Sequence, residues 1–387
     1  MNERNSKMEL LGSAPIPKAL LAMGLPTMIG MMINALYNLV DAYFVGGLGT
    51  SQMGAISVAF PLGQVVVGLG LLFGNGAASY ISRLLGHGET ETADRVASTA
   101  LYSSISVGAV IIICTLLFLR PILRLLGATE SILPYAEIYA GIYVVSSIFN
   151  IFNVTMNNIV TSEGAAKTTM CALLTGAVLN MVLDPVFIYV LHLGVAGAAI
   201  ATAISQIVST AVYLCYVFRK KSVFSFSIKK CCFSSEIMSE VLKIGIPTLV
   251  FQLLTSLSIT MINMQAKPYG DSVIAGMGAV TRMISLGSLM VFGFIKGFQP
   301  IAGYNYGAGN YERLHEAIRI SVVWSTLFCA AFGLTMAVFS GPVISRFTKD
   351  DMEMIRIGKK ALKANGLSFL LFGFSTEYSS LFLALGT

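Results

Sequence analysis

The chain has 387 residues, 55% of them hydrophobic and only 11% charged, with a formal net charge of +6 and a mean hydropathy of +0.77. A soluble domain carries about 25% charged residues, so these charges are too few to cover a water-facing surface, and most of the surface must face lipid. The positive balance does not point to nucleic acid, because the basic residues fall in short loops between apolar runs.

Residues Met1–Pro17 are polar and lack the apolar core of a cleavable signal peptide. Ten apolar runs follow: Lys18–Val45, Gln52–Leu84, Ala93–Leu119, Tyr135–Val160, Thr168–Val190, Ala196–Val217, Glu240–Gln265, Val273–Tyr304, Glu316–Ile344 and Gly358–Leu385. A helical span needs about 20 largely apolar residues, and each run reaches that length. Transmembrane strands would instead alternate over about ten residues, a pattern absent here. The expected fold is an all-α polytopic membrane protein.

Arg4, Lys7 and Lys18 precede the first run, Arg83 and Arg95 flank the second loop, and Lys167 lies in the fourth. Arg219, Lys220, Lys221, Lys229 and Lys230 follow the sixth. With alternating spans all lie on one side, which the positive-inside rule makes cytoplasmic; the mixed-charge loop Arg346–Lys363 departs from the trend. The N-terminus is therefore expected in the cytoplasm and the chain in the plasma or inner membrane.

A shift of 221 residues superposes the two halves. Leu21, Gly24, Pro26 and Thr27 fall on Leu242, Gly245, Pro247 and Thr248, and Gly49, Ser51 and Gly76 on Gly270, Ser272 and Gly297. Gly86, Gly88 and Glu91 fall on Gly307, Gly309 and Glu312. Six spans separate the copies, so they share orientation, as in transporters built from parallel repeats. The expected division is an N-terminal lobe at 1–217, a basic linker at 218–239 and a C-terminal lobe at 240–387. The second lobe contains four spans, and counterparts of the fifth and sixth would fall beyond Thr387.

The polar residues within spans are the functional candidates. Asn34, Asn38 and Asp41 share one face of the first span, and a carboxylate at bilayer depth costs about 2.5–3.5 kcal/mol on insertion scales. Asp41 is either turned inward for function or wetted at the interface. Asn180 and Asp184 lie one turn apart before Pro185, either as a cation or proton site or as a helix end preparing a kink. Asn150, Asn153 and Asn157, and likewise Thr202, Ser205 and Ser209, form stripes that suit interhelical bonding or a cavity wall. Pro26 with Gly30 predicts a kink. Lys296 could snorkel, pair with Glu377 or gate, and the abundance of Met, Phe and Tyr suits a cavity for flat apolar ligands. The six cysteines have no metal-ligand spacing, and no nucleophile–base set, HExxH or P-loop is present, so no enzyme and no cofactor are expected.

The segment Gly297-Phe298-Gln299-Pro300-Ile301-Ala302-Gly303-Tyr304-Asn305-Tyr306-Gly307-Ala308 resembles the eighth helix of the multidrug and toxic compound extrusion (MATE) family. Leu36-Tyr37-Asn38-Leu39-Val40-Asp41 with Pro26 upstream, and Asn180-Met181-Val182-Leu183-Asp184-Pro185, are also similar to that family, in its DinF-like and MepA-like bacterial branch. The resemblance runs from about Ile16 to Thr387. It implies two six-helix lobes around a central cavity, alternating access, and export of cationic or amphipathic compounds by a monomer in exchange for protons or sodium ions. It further implies coupling at Tyr37, Asp41, Asn180, Asp184 and Thr202, with any sodium ion at Asp41, Asn180 and Asp184, and a bend at Pro26–Gly30. Asn34, Asn38, Asn153, Asn157, Lys296, Gln299 and Glu377 are the cavity candidates. A glutamate that some branches place in the seventh helix has no counterpart in Phe251–Ser256. The competing expectations are a lipid-linked oligosaccharide flippase of the same superfamily and an inactive truncated transporter.

Overall fold

The computed structural model describes residues 3–266, 271–346 and 351–386. The described residues form helices α1 (Glu3–Gly12), α2 (Ile16–Gly46), α3 (Thr50–His87), α4 (Thr90–Leu117), α5 (Leu119–Leu125), α6 (Leu133–Ser162), α7 (Ala166–Pro185) and α8 (Gly194–Phe218). They continue with α9 (Ser235–Ala266), α10 (Asp271–Gly307), α11 (Tyr311–Val338), α12 (Ser340–Ile344), α13 (Met352–Ser368) and α14 (Phe372–Leu385). Among the described residues, ten helical segments are long and apolar enough to cross a membrane, the tenth running from Met352 to Leu385 through a short 3-10 turn. The protein is thus all-α and polytopic, as its hydropathy requires.

The polar stretch ahead of the first span is helical over Glu3–Gly12. Two expectations need correction. The seventh span begins at Ser235 rather than Glu240. Most of the stretch Arg346–Lys363 is not a loop, since α13 starts at Met352 with the Asp351 carboxylate accepting from Met354 N at 2.8 Å; residues 347–350 lie outside the described residues.

In the first half α3 packs on α6, α6 and α7 on α8, and α4 on α3 and α6. In the second, α10 packs on α11, α13 and α14. The halves meet where α2 lies on α10 and α3 on both α9 and α10. Glycine sets the approach. A methyl placed on Gly86 would come 2.0 Å from Tyr304 O, and one on Gly307 would come 2.1 Å from Arg83 O. These two crossings are the same contact seen from either repeat, because residues 83 and 86 fall on 304 and 307 under the 221-residue shift. Gly76 against Val241 O and Gly297 against Gly24 repeat the pattern nearly three turns further along. Small residues let helix backbones touch in lipid, where no hydrophobic drive would press larger side chains together. The repeat in sequence is therefore a pseudo-twofold seam in space.

The seam reaches Gln252, whose Nε2 donates to Gln64 Oε1 at 2.6 Å. Beyond it the successive residues Leu253, Leu254 and Thr255 are all exposed. Three successive helical residues point in three directions, so α9 stands clear of its neighbours there. The basic-loop end is closed and the opposite end is parted.

The segment between α8 and α9 is packed down rather than loose. Ser225 N and Oγ each donate to Asp94 at 2.9 Å, Lys230 Nζ donates to the same carboxylate at 2.6 Å, and Cys232 N donates to Thr99 Oγ1 at 2.9 Å.

Candidate coupling site and inter-bundle cavity

The fifth predicted span places Asp184 at the last turn of α7. Pro185 cannot donate a backbone bond, and the chain runs on as a wide π-turn over Val186–Val190. Tyr189 of that turn donates to Phe44 O at 2.5 Å, tying it to the end of α2. This brings α2 and α7 together on their inner faces. The Asp41 carboxyl lies within hydrogen-bonding reach of Asp184, and Tyr37 within reach of Thr202. With its amide nitrogen turned toward the acid, Asn180 donates to Asp184 Oδ2 at 2.8 Å, and its oxygen accepts from Thr202 Oγ1 at 3.3 Å. The structure thus brings together Tyr37, Asp41, Asn180, Asp184 and Thr202, contributed by α2, α7 and α8.

Asp184 is fully buried, and its Oδ1 has no donor among the described residues. Two carboxyls this close stay together only with a proton between them or a cation beside them. The acid pair offers carboxylate oxygens, with the Tyr37 and Thr202 hydroxyls beside them and the Asn180 amide nitrogen donating to Asp184, a setting that suits a proton or a hard cation held by oxygen. Tyr139 of α6, stacked on Tyr143 with centroids 5.9 Å apart, is close enough to feel both acids. These two escape the sequence reading, though tyrosines spaced four apart in an apolar helix were a usable signal.

The other candidates separate. Asn153 is buried within the first bundle. Its Nδ2 donates to Gln206 O at 2.9 Å and Oε1 at 2.8 Å, and its Oδ1 accepts from Thr210 at 3.0 Å. These bonds make it a staple between α6 and α8. Asn157 donates to Tyr213 OH at 3.1 Å and accepts from Lys296 Nζ across the seam. Glu377 is buried in the second bundle, accepts from Ser321 Oγ, and makes no ion pair with Lys296. Asn34 and Asn38 are exposed near the parted end, where Asn38 Nδ2 donates to Asn34 Oδ1 at 2.9 Å. Pro26 is buried within a helix that runs through it unbroken, and Gly30 lies against Leu173.

Lys296 and Gln299 line a cavity in the seam with Asn75, Asn158 and Ser79. Its volume of about 20 Å³ admits a water molecule but nothing of drug size. Lys296 is the one charged residue in this lining. The membrane acids of the first half do not face it, so they cannot by themselves set the charge preference of the space between the bundles.

The MatE family model matches this chain twice, at residues 26–186 and 247–387. The chain belongs to the MATE family of membrane transporters. The two matches begin 221 residues apart, the offset of the glycine seam. The chain is 31% identical over 370 residues to the multidrug export protein MepA of Staphylococcus haemolyticus, covering 95% of this chain and 81% of that protein. It superposes with a TM-score of 0.92 and 29% identity on a solved outward-facing multidrug-resistance MATE transporter, covering 98% of this chain and 84% of the other. It also superposes, with a TM-score of 0.90 and 30% identity, on a transporter of the wider superfamily from Pyrococcus furiosus, over 98% and 84% of the two chains. That protein is described as having a binding pocket of reversed polarity that suggests a different function. Alternating access between two helical bundles comes with the family.

Proposed function

We propose that this chain exports cationic amphipathic compounds by ion-coupled antiport, with the coupling ion held at the Asp41–Asp184 pair inside the first bundle. The observation that carries this reading is the buried, donor-less Oδ1 of Asp184 beside a second carboxyl. A proton or a sodium ion arriving from the parted end neutralises the pair. Its loss restores charge repulsion between α7 and α2, the helix that holds Pro26 and Gly30. Because α2 is also the helix that meets α10 in the seam, a change in its shape reaches the space between the bundles. Residues 1–217 and 235–387 act as the two moving lobes, and 218–234 joins them. The basic loops support an N-terminus and a closed end in the cytoplasm, and with that orientation this is the outward-facing state.

The test is ethidium efflux from pump-deficient cells, with membrane expression matched. The original chain should export, and Asp41→Asn should lose at least tenfold of that activity. Full coupled export by Asp41→Asn would remove the site. Imposing either a pH gradient or a sodium gradient on vesicles then distinguishes the ions.

A second reading draws on Lys296. A cation in the inter-bundle lining suits an anionic group, such as the phosphate of a lipid-linked sugar, better than a cationic drug. Lys296→Gln should leave ethidium export within about twofold on the first reading and abolish transport on the second.

A further inference from the structure

Helix α1 lies across the closed end as a strap. Lys7 donates to Glu163, Tyr216 and Lys221 O of the first bundle. Asn305 Nδ2 and Arg313 of the second bundle donate to Leu11 O and Ala14 O at the other end of the strap. Glu163 is fully buried. Burial raises its carboxyl above the ordinary range, while Lys7, Tyr216, Val223 N and Ser222 draw it back down.

Beneath the strap lies a cleft of about 520 Å³ that has no part in the site between Asp41 and Asp184. Its walls are α1, the start of α2, the α6–α7 turn and the end of α8. Lys7, Lys18, Lys167 and Lys221 line it against Glu9 as the sole acid in the lining. Even with Glu163 counted behind Lys7, the cleft stays cationic. Lys18 and Lys167 are exposed and make no ion pair among the described residues. The cleft floor includes the apolar Leu10, Ala14 and Ala22. Lys18 also heads a helical stripe of exposed apolar residues, Leu21, Leu25 and Ile29, which runs along α2 into the depth of the membrane. Basic pockets at the ends of spans are suited to anionic headgroups, and the stripe below offers the acyl chain a surface that a free anion would not need.

We infer that this cleft binds the phosphodiester headgroup of an anionic phospholipid, with its acyl chain laid on the Leu21–Leu25–Ile29 face of α2. The headgroup sits between Lys18 and Lys167, which are 149 positions apart in sequence but at adjacent helix starts. The strap roofs the headgroup, so occupancy stiffens the α1 bridge between the bundles.

Native mass spectrometry of the full chain in neutral detergent tests this, using dioleoyl-phosphatidylglycerol and dioleoyl-phosphatidylcholine as probes. The chain should retain the phosphatidylglycerol at least fivefold more than the phosphatidylcholine. A Lys18→Gln/Lys167→Gln variant should lose that preference, Lys18→Arg/Lys167→Arg should keep it, and Lys360→Gln/Lys363→Gln on α13 should leave it unchanged. Equal retention of the two lipids would overturn the inference, as would equal loss in the α13 variant, which would mean general surface charge. Displacement of the lipid by low-millimolar inorganic phosphate would overturn it in favour of a soluble anion. Both glutamine variants alter exposed side chains outside the Glu163 cluster, and unfolding temperatures in lipid-free detergent matched to the original chain's would confirm their fold.

Discussion

Under the 221-residue shift, Gly24, Gly76 and Gly86 fall on Gly245, Gly297 and Gly307, whereas Asp41 falls on Ile262 and Tyr37 on Ser258. The two halves are alike where they touch each other and unlike inside. The first bundle holds the acid pair and a lattice of amides and hydroxyls. The second is filled with aromatic rings, with Phe369 4.9 Å from Phe372 and 5.3 Å from Phe332 between centroids, and its buried acid Glu377 meets Ser321. Contact geometry is a demand on both copies at once, because each crossing needs a glycine from either side. Ion chemistry is a demand on one copy alone, so the other is free to become a packed apolar block.

The sharpest test of that contrast exchanges acids. Asp184→Asn should lower gradient-driven ethidium efflux by tenfold or more, while Glu377→Gln should change it by less than twofold. Equal losses would mean that both interiors couple. Next in size are the crossings. Gly86→Val and Gly307→Val each drive a side chain into a backbone carbonyl, which costs about 1–3 kcal/mol or more. Their unfolding temperatures in detergent should fall alike, since they are one contact repeated. Gly46→Ala, with nothing within 4 Å of its added carbon, should not lower it. Asn153→Ala removes the staple to Gln206 and Thr210. It should cost about 0.6 kcal/mol and no more than about 1.7, in line with interhelical bonds in membranes, with efflux unchanged. Smallest of all, Glu240→Gln breaks a part-exposed ion pair to Arg83 across the seam, 2.8 Å long. Its effect on unfolding should stay below about 1 kcal/mol.

The spans were readable because lipid imposes a single requirement, length with low polarity, that sequence reports directly. The same criterion missed α1, whose ten residues include Glu3, Arg4, Lys7 and Glu9 and contain no long apolar run. It shortened the tenth span for the same reason, since Glu353 and Arg356 interrupt the apolar pattern in the first turns of α13. Asp41 and Asp184 stood out individually as acids at membrane depth. Their meeting depends on α2 lying against α7, which no local pattern specifies. The glycines were visible as a repeat, yet the repeat alone could not say that Gly86 lies on Tyr304 rather than on its own counterpart. The Lys7–Glu163–Tyr216 cluster was out of reach, for it joins three stretches spread over more than two hundred residues. Asn153 suits a staple or a cavity wall by pattern alone, and its bonds to Gln206 and Thr210 depend on how α6 meets α8, which the pattern does not carry.

At the glycine crossings the groups in contact are peptide carbonyls that already accept bonds within their own helices. Parting them leaves no donor or acceptor stranded; what is forfeited is dispersion. That attraction is short-ranged, and a gap of 0.5–1 Å gives up about a quarter to a half of it. Crossings held this way resist parting only at full contact. Once one separates, its neighbours on the same rigid helices lose theirs, so the glycine contacts behave as a snap fastener rather than a sliding fit, while the Arg83–Glu240 pair and the α1 strap hold the closed end separately.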